Sequence, residues 1–478
     1  MTQGPNPNQA SATAGNGLAS LLLGAGSGGS LIQNFKNVAT QSFYYAGYFQ
    51  DDWRINSKLT INLGLRWDID TPRSERFNRT NYFDPNIASP LANVVPGLKG
   101  GLVFVGVDGK PRTQFPKDLN NLAPRLGFAY QIGKKTVFRA GYGHLYGAGF
   151  QAAAGTIGTQ GFRTDNAWVA SIDGIRPTNL LRNPYPDGFA QPPNASKGLL
   201  TQVGSTIQAA TQDMLTNWNR QINANIQREL PGGFQLEVAY VHTRGFHLFR
   251  NTEGGLTLNQ LPKEQMALGA SLNDLVNNPF FGTPGGVGLL ASRTVRRAQL
   301  LRPFPQFDTI TPIYSSGASN FYHALQTTIT KRYSKGLMLE GSYTWAKNMD
   351  DGESHQDSYN LLDDRAISSI DLKHRFVMSY IYELPFGRNR RFGSDWSRAV
   401  DLAIGQWQMN GISTYSSGTP LGPSASNTAG IYNVSIHANN DGRSPRLDGK
   451  VDQRLERYYD LSLIHISEPT RLRRISYA

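Results

Sequence analysis

Leu59 to Asp70 reads LTINLGLRWDID, and its rhythm decides the fold. Leu59, Ile61, Leu63, Leu65, Trp67 and Ile69 fall on one face; Thr60, Asn62, Gly64, Arg66, Asp68 and Asp70 fall on the other. Successive side chains of a strand point to opposite faces, so this period of two marks an amphipathic strand. It holds for 12 residues, against a mean of about 5–6 in soluble proteins. The same alternation recurs at 122–132, 233–244, 337–348 and 371–384. Between Asn217 and Leu230 one face is Asn219, Gln221, Asn223, Asn225, Gln227 and Glu229, while Trp218, Ile222, Ala224, Ile226 and Leu230 occupy the other.

A soluble sandwich also alternates, so three further features separate the readings. First, the segments run about 11–15 residues, and about 9–11 cross a bilayer at a tilt. Second, the connections alternate. Short turns fall at Asn56-Ser57, Gly133-Lys134, Pro231-Gly232-Gly233 and Ser334-Lys335-Gly336, whereas long loops lie near 71–121, 147–216, 246–319 and 349–370. Outer-membrane barrels have short periplasmic turns and long extracellular loops. The connection at 385–403 is intermediate. Third, aromatics collect at both strand ends. Tyr44, Tyr45, Trp67, Tyr142, Tyr146, Tyr240, Tyr343 and Trp345 lie toward the long loops, and Trp53, Phe234, Tyr333, Tyr382 and Phe386 toward the short turns. Two such belts suit the two membrane interfaces.

The expected fold is therefore all-β, a transmembrane antiparallel β-barrel with long extracellular loops, because lipid tolerates no open sheet edge. Strands are expected near 43–55, 58–70, 122–132, 135–146, 217–230, 233–244, 320–333, 337–348, 371–384 and 404–415, with one more near 31–39. Loops of 50 residues and more exceed what an ordinary compact domain uses and read as functional caps.

Composition supports this. The chain has 478 residues, 50 of them Gly, and no Cys, which excludes disulfides, thiol catalysis, Cys-ligated zinc and Fe–S clusters. The net charge is +12, but the basic residues are scattered without a run of five, so a nucleic-acid partner is not expected. No stretch of 18 apolar residues suggests a transmembrane helix. Residues 1–30 read as a Gly/Ala/Ser-rich loop segment, 31–460 as the partial barrel. The end, 461–478, contains LSLIHISEPTR, which looks like the conceptual translation of a sequencing adapter and is set aside as non-native.

Beyond the rhythm, the blocks YYAGYFQDDWRINSKLTINLGLRWD (44–68), NNLAPRLGFAYQIGKKTVFRAGYG (120–143), IQRELPGGFQLEVAYVHTRGFHL (226–248) and DLKHRFVMSYIYELPFG (371–387) are fairly specific as a set. So are SNFYHALQTTITKRYSKGLMLEGSYTWAKNMDD (319–351) and QWQMNGISTYSSGTPL (406–421). With them the chain resembles the C-terminal barrel of TonB-dependent outer-membrane receptors of the Oar-like type, annotated with a carboxypeptidase-regulatory-like domain. The resemblance implies about ten to twelve strands of a plugged barrel of about 22. It also implies residence in a Gram-negative outer membrane among phospholipid and lipopolysaccharide. A TonB-type energy-coupling protein is then the partner, reached through an N-terminal region that is not visible here, so the chain reads as a fragment.

Several motifs have bland readings. GAGSGG (24–29) fits a dinucleotide fingerprint, but no helical signature follows, so a flexible loop is expected. His242 and His247 suit an interface better than a metal. The acidic run Asp350, Asp351, Glu353, Asp357, Asp363 and Asp364 lacks calcium-loop spacing and reads as a solvated loop. Neither a nucleophile elbow nor an HExxH occurs, so no enzyme and no cofactor or metal are expected. The transport-related residues are the inward row Asn219, Gln221, Asn223, Asn225, Gln227 and Glu229, with Arg66, Asp68, Arg125 and Arg139, as contacts for a solute or plug. Energy-coupled uptake of an unidentified substrate is the leading function. A passive porin or structural or adhesive barrel is the runner-up, and a secreted glycan-binding protein the third.

Overall fold

Ten strands appear where the alternation places them: β1 (Tyr44–Arg54), β2 (Leu59–Asp70), β3 (Asn121–Gly133), β4 (Thr136–Tyr146), β5 (Trp218–Leu230), β6 (Phe234–Phe249), β7 (Ser316–Ser334), β8 (Leu337–Asp350), β9 (His374–Glu383) and β10 (Gln408–Ser416). The computed structural model describes residues 17–26, 31–147, 158–172, 176–250, 255–283, 288–388, 390–420, 422, 424–425, 436–437, 439–440, 447, 449 and 464–465. Each strand pairs antiparallel with its sequence neighbours, so the sheet is one uninterrupted meander from β1 to β10. Among the described residues β1 and β10 each have one neighbour. The expected strand near 31–39 is Leu31–Phe35, which pairs with Arg163–Ala167 outside this sheet.

The short turns form for local reasons. Asn56 Oδ1 accepts the N–H groups of Lys58 and Leu59 at 2.8 and 2.9 Å, closing β1 onto β2. Lys335 and Gly336 sit at φ +52° and +77°, the two left-handed positions a tight hairpin needs between β7 and β8. At the intermediate connection a helix, Arg398–Ile404, fills the gap, with Ser397 accepting the N–H of Val400 as its N-cap.

The long connections are where the core lies. All the largest fully buried side chains, including Phe83, Phe115, Phe280, Phe307 and Leu102, belong to them. Phe83 and Leu102 from the first, Val203 and Ile207 from the second, and Phe280, Phe307 and Ile310 from the third form one cluster. Ile207–Ala210 also pairs in parallel with Ile310–Ile313, tying the second connection to the third. Three loops thus make one folded cap at one end of the sheet.

The wall itself inverts the soluble pattern. Directly opposed residues in an antiparallel ladder share a face. Leu59, Tyr130, Phe138, Ile226, Val238, Thr327, Tyr343, Phe376 and Tyr415 therefore form one row across the sheet. This face stays uncovered: Leu65, Leu126 and Trp345 are 49%, 52% and 53% exposed. An uncovered apolar face of this extent is a membrane-contact surface. No helix among the described residues is long and apolar enough to cross a membrane, so any crossing is made by strands.

Candidate functional site

All ten expected transport residues lie on the opposite, polar face. Arg125 stands directly across from Gly64 and Gly143, Gly143 from Gln221, Arg139 from Asn225, and Asp68 from Asn121. They make a wall, not a pocket. From Asn219 to Glu229 the row runs about 34 Å at about 3.4 Å per residue, so one small solute touches only part of it.

Two local groups emerge. Arg66 Nε contacts Asp68 Oδ1 at 2.8 Å, and Tyr44 OH donates to the same carboxylate while accepting from Arg66 Nη2 at 3.0 Å. Tyr44 thus turns inward and is no part of the outer aromatic belt, unlike its neighbour Tyr45, which faces outward opposite Ile69. Asp68 is 4% exposed beneath the cap. Farther along, Arg139 Nη1 donates to Gln227 Oε1 at 2.8 Å. Asn225 Oδ1 beside it is buried without a hydrogen-bond partner.

Glycines back several of these side chains. A Cβ at Gly141 would lie 2.8 Å from Asn223 Oδ1, one at Gly127 2.9 Å from Asn62 Oδ1, and one at Gly64 3.4 Å from the Arg125 Cβ. The amides and Arg125 therefore lie over the wall where the neighbouring strand leaves room. Gln221, Asn223, Glu229, Arg125 and Arg139 remain exposed on this face. The result is a water-wetted lining rich in both donors and acceptors.

A further group was invisible to pattern reading because its members come from separate loops. Beyond the end of β6, Arg250 donates to Asp351 O at 3.0 Å and to Gly317 O at 2.8 Å. Burial pushes its guanidinium down from the ordinary value, opposed by Asp351, Asp364 and Asp213. Asp351 accepts the Ser319 N–H and hydroxyl at 2.6 and 2.7 Å. Fully buried His355 meets Asp364 at 3.0 Å through Nδ1, and its Nε2 has no hydrogen-bond partner. The acidic run expected to be a solvated loop is instead partly buried and split among separate partners, since Asp357 accepts from Gln260 and Asp363 from Asn360. The physical cause is the cap, which takes Asp351 and Asp364 out of water and must then satisfy each one. Among the described residues no group of three His, Cys, Asp or Glu side chains is arranged to hold a metal ion. Of GAGSGG, Gly24 follows the short helix Gly17–Leu22 with a left-handed φ of +68°, and 27–29 lie outside the described residues. The same holds for the 461–478 tail apart from Ile464-His465.

No curated protein matches the chain. Solved structures similar to it include the alcaligin outer-membrane receptor FauA from Bordetella pertussis, at 12% identity and a TM-score of 0.28 over 73% of this chain and 35% of that one. The pyoverdine outer-membrane receptor FpvA from Pseudomonas aeruginosa PAO1 aligns at 8% identity and a TM-score of 0.33, over 80% of this chain and 34% of that one. The FrpB iron transporter from Neisseria meningitidis aligns at 10% and 0.28, over 72% and 41%. The chain thus spans well under half the length of each. The outer membrane beta barrel domain family matches residues 1–469. An exposed apolar face, a polar inner face and this match together place the chain in the outer membrane beta barrel domain family, as an all-β protein of the outer membrane.

Proposed function

We propose that this chain is the wall and extracellular cap of a TonB-dependent receptor of the Oar-like type, which takes up its substrate across the outer membrane at the expense of a TonB-type coupling protein. The observation that carries the reading is the cap. Three long connections share a hydrophobic core and are bound to the strand ends by buried polar contacts such as Asn121 Nδ2 to Thr216 Oγ1 at 3.2 Å. A passive pore gains nothing from such a structured cover, whereas a receptor needs a rigid surface on which to select cargo before admitting it. The inner amides and the Arg139–Gln227 pair then serve as exchangeable hydrogen-bonding partners for a plug or a passing solute. The chain supplies binding and passage, and no covalent chemistry.

The test is solute entry into vesicles carrying the intact protein that contains this chain. A receptor stays closed to small sugars in a swelling assay, and cells carrying it accumulate cargo only while the energy-coupling system works. Rapid swelling with small sugars, or uptake that persists after the coupling protein is deleted, would establish the passive-porin reading in its place.

A further inference from the structure

We infer that the cap carries a docking site for an acidic polysaccharide, a sugar chain bearing carboxylates, built from Arg76, Phe77, Arg79 and Lys110 in the first long connection. Phe77 is 53% exposed in the turn 75–79, where Asn78 takes a left-handed φ of +56°. The Arg79 guanidinium lies over its ring at 4.4 Å and that of Arg76 at 5.7 Å. The turn is held from two sides. The buried Glu75 carboxylate accepts the N–H groups of Ala39, Phe77 and Arg79 at 2.9, 2.8 and 2.7 Å. Arg112 donates through Nε to Asn78 Oδ1 at 2.9 Å, and through Nη2 to the carbonyls of Glu75 and Arg76 at 3.0 and 3.1 Å. A Cβ at Gly106 would overlap the Asn78 amide, so the segment 106–112 closes on the turn through a glycine. A preorganised scaffold thus holds an apolar ring and its flanking cations out in water, where the ring adds little to the core.

Among the described residues the positive charge of this patch meets no ion-pair partner, since none of the ion pairs involves Arg76, Arg79, Lys110 or Arg112. Glu75 is buried and directed at backbone amides, which leaves Asp108 as the one exposed carboxylate of 75–79 and 106–112. Arg76 and Lys110 are exposed. Arg79 uses Nη1 on Asn37 O at 2.6 Å, which leaves the rest of its fork open. Cations therefore outnumber anions around a single aromatic ring.

These groups specify the partner. A guanidinium matches a carboxylate with two parallel hydrogen bonds, and an exposed phenyl ring covers the apolar C–H face of a pyranose. Cations placed side by side suit charges that repeat along a chain, because each further contact forms at high effective concentration. An acidic peptide fits less well. Main-chain recognition of a peptide needs free backbone donors and acceptors. Here the N–H groups of Phe77 and Arg79 are taken by Glu75, and the carbonyls of Glu75 and Arg76 by Arg112. A sugar chain asks only for the side chains. The site names a cargo class for the receptor proposed above and rests on that reading. Its binding is measured without the coupling protein, so a failure to bind and a failure of energy-coupled uptake are separate results.

The experiment uses the intact protein that contains this chain, folded in detergent. The probes are oligogalacturonate as the acidic sugar chain, its methyl ester as the same chain without charge, and oligoglutamate of equal charge as the acidic peptide. Isothermal titration calorimetry measures binding. Oligogalacturonate should bind, weakened about tenfold or more by methyl esterification or by the pair Arg76→Ala/Arg79→Ala. Phe77→Ala keeps every charge and should weaken binding about threefold. Arg296→Ala, an exposed arginine of the third connection, should bind as the parent does. If the double variant loosens the turn by removing the Asn37 contact, exposed Arg76→Ala alone and the two sugar chains on the parent protein still decide. No binding of oligogalacturonate, equal binding of its methyl ester, unchanged binding in the Arg76 and Phe77 variants, equal loss in Arg296→Ala, or tighter binding of oligoglutamate would overturn the proposal.

Discussion

Replacing Leu126 with arginine tests the claim on which the membrane assignment rests. Leu126 sits midway along β3, opposed by Leu63 on β2 and Tyr142 on β4, and is 52% exposed. If the apolar face meets hydrocarbon, an arginine near the bilayer centre costs about 2–4 kcal/mol. At about 1.4 kcal/mol per decade, that lowers the folded fraction relative to unfolded by a factor of about thirty to several hundred. If the same face met water, an exposed substitution would change stability by no more than about 0.5 kcal/mol. The matched control is Thr328→Arg, an inward residue opposed by Glu237 and Ser342, whose cost should stay near that lower figure. Equilibrium unfolding of the intact protein in lipid vesicles, followed by tryptophan fluorescence, measures both. Equal stabilities for the two variants would refute the orientation of the wall and with it the lipid-facing reading of every strand.

The cap makes its own predictions. Phe307→Ala removes a fully buried ring packed against Phe83 at 5.9 Å, so it should cost about 3–5 kcal/mol and open the cap to limited proteolysis while the strands stay protected. Glu75→Ala leaves the N–H groups of Ala39, Phe77 and Arg79 without their shared acceptor, costing about 1–3 kcal/mol, and should appear as faster amide exchange at those residues. Burial raises the phenols of Tyr82 and Tyr359, helped by Asp84 for the first and by Asp357 and Glu264 for the second. A raised phenol binds its proton more tightly when folded, so its contribution is complete below about pH 10 and lost as pH climbs through the raised value. Near-ultraviolet dichroism should therefore show the cap loosening above about pH 10 before far-ultraviolet dichroism reports any loss of strands; simultaneous loss would contradict it.

The sequence alone determined the ten strands, their order and the faces of their side chains, because each of those depends on residues two apart or on a turn of two or three. Leu59–Asp70 carries its own strand signal, and Asn56 and Lys335-Gly336 carry their own turns. The ten residues expected to serve transport were placed on one face for the same reason. Strand ends were legible less well: β6 continues to Phe249 and β7 begins at Ser316, through register shifts beyond Gly245 that reflect the cap above and have no local signature.

Everything above the strand ends was decided by tertiary structure. Gln306 Nε2 donates to Lys99 O at 2.8 Å, 207 residues away, and Phe83 meets Phe307 from a different connection. Such contacts have no period for a sequence window to detect, since each loop supplies only part of a core that becomes apolar when three loops combine. The same holds for the opposed arginines. Arg220 and Arg244 each look ordinary in the chain, and only the register of the ladder sets them face to face.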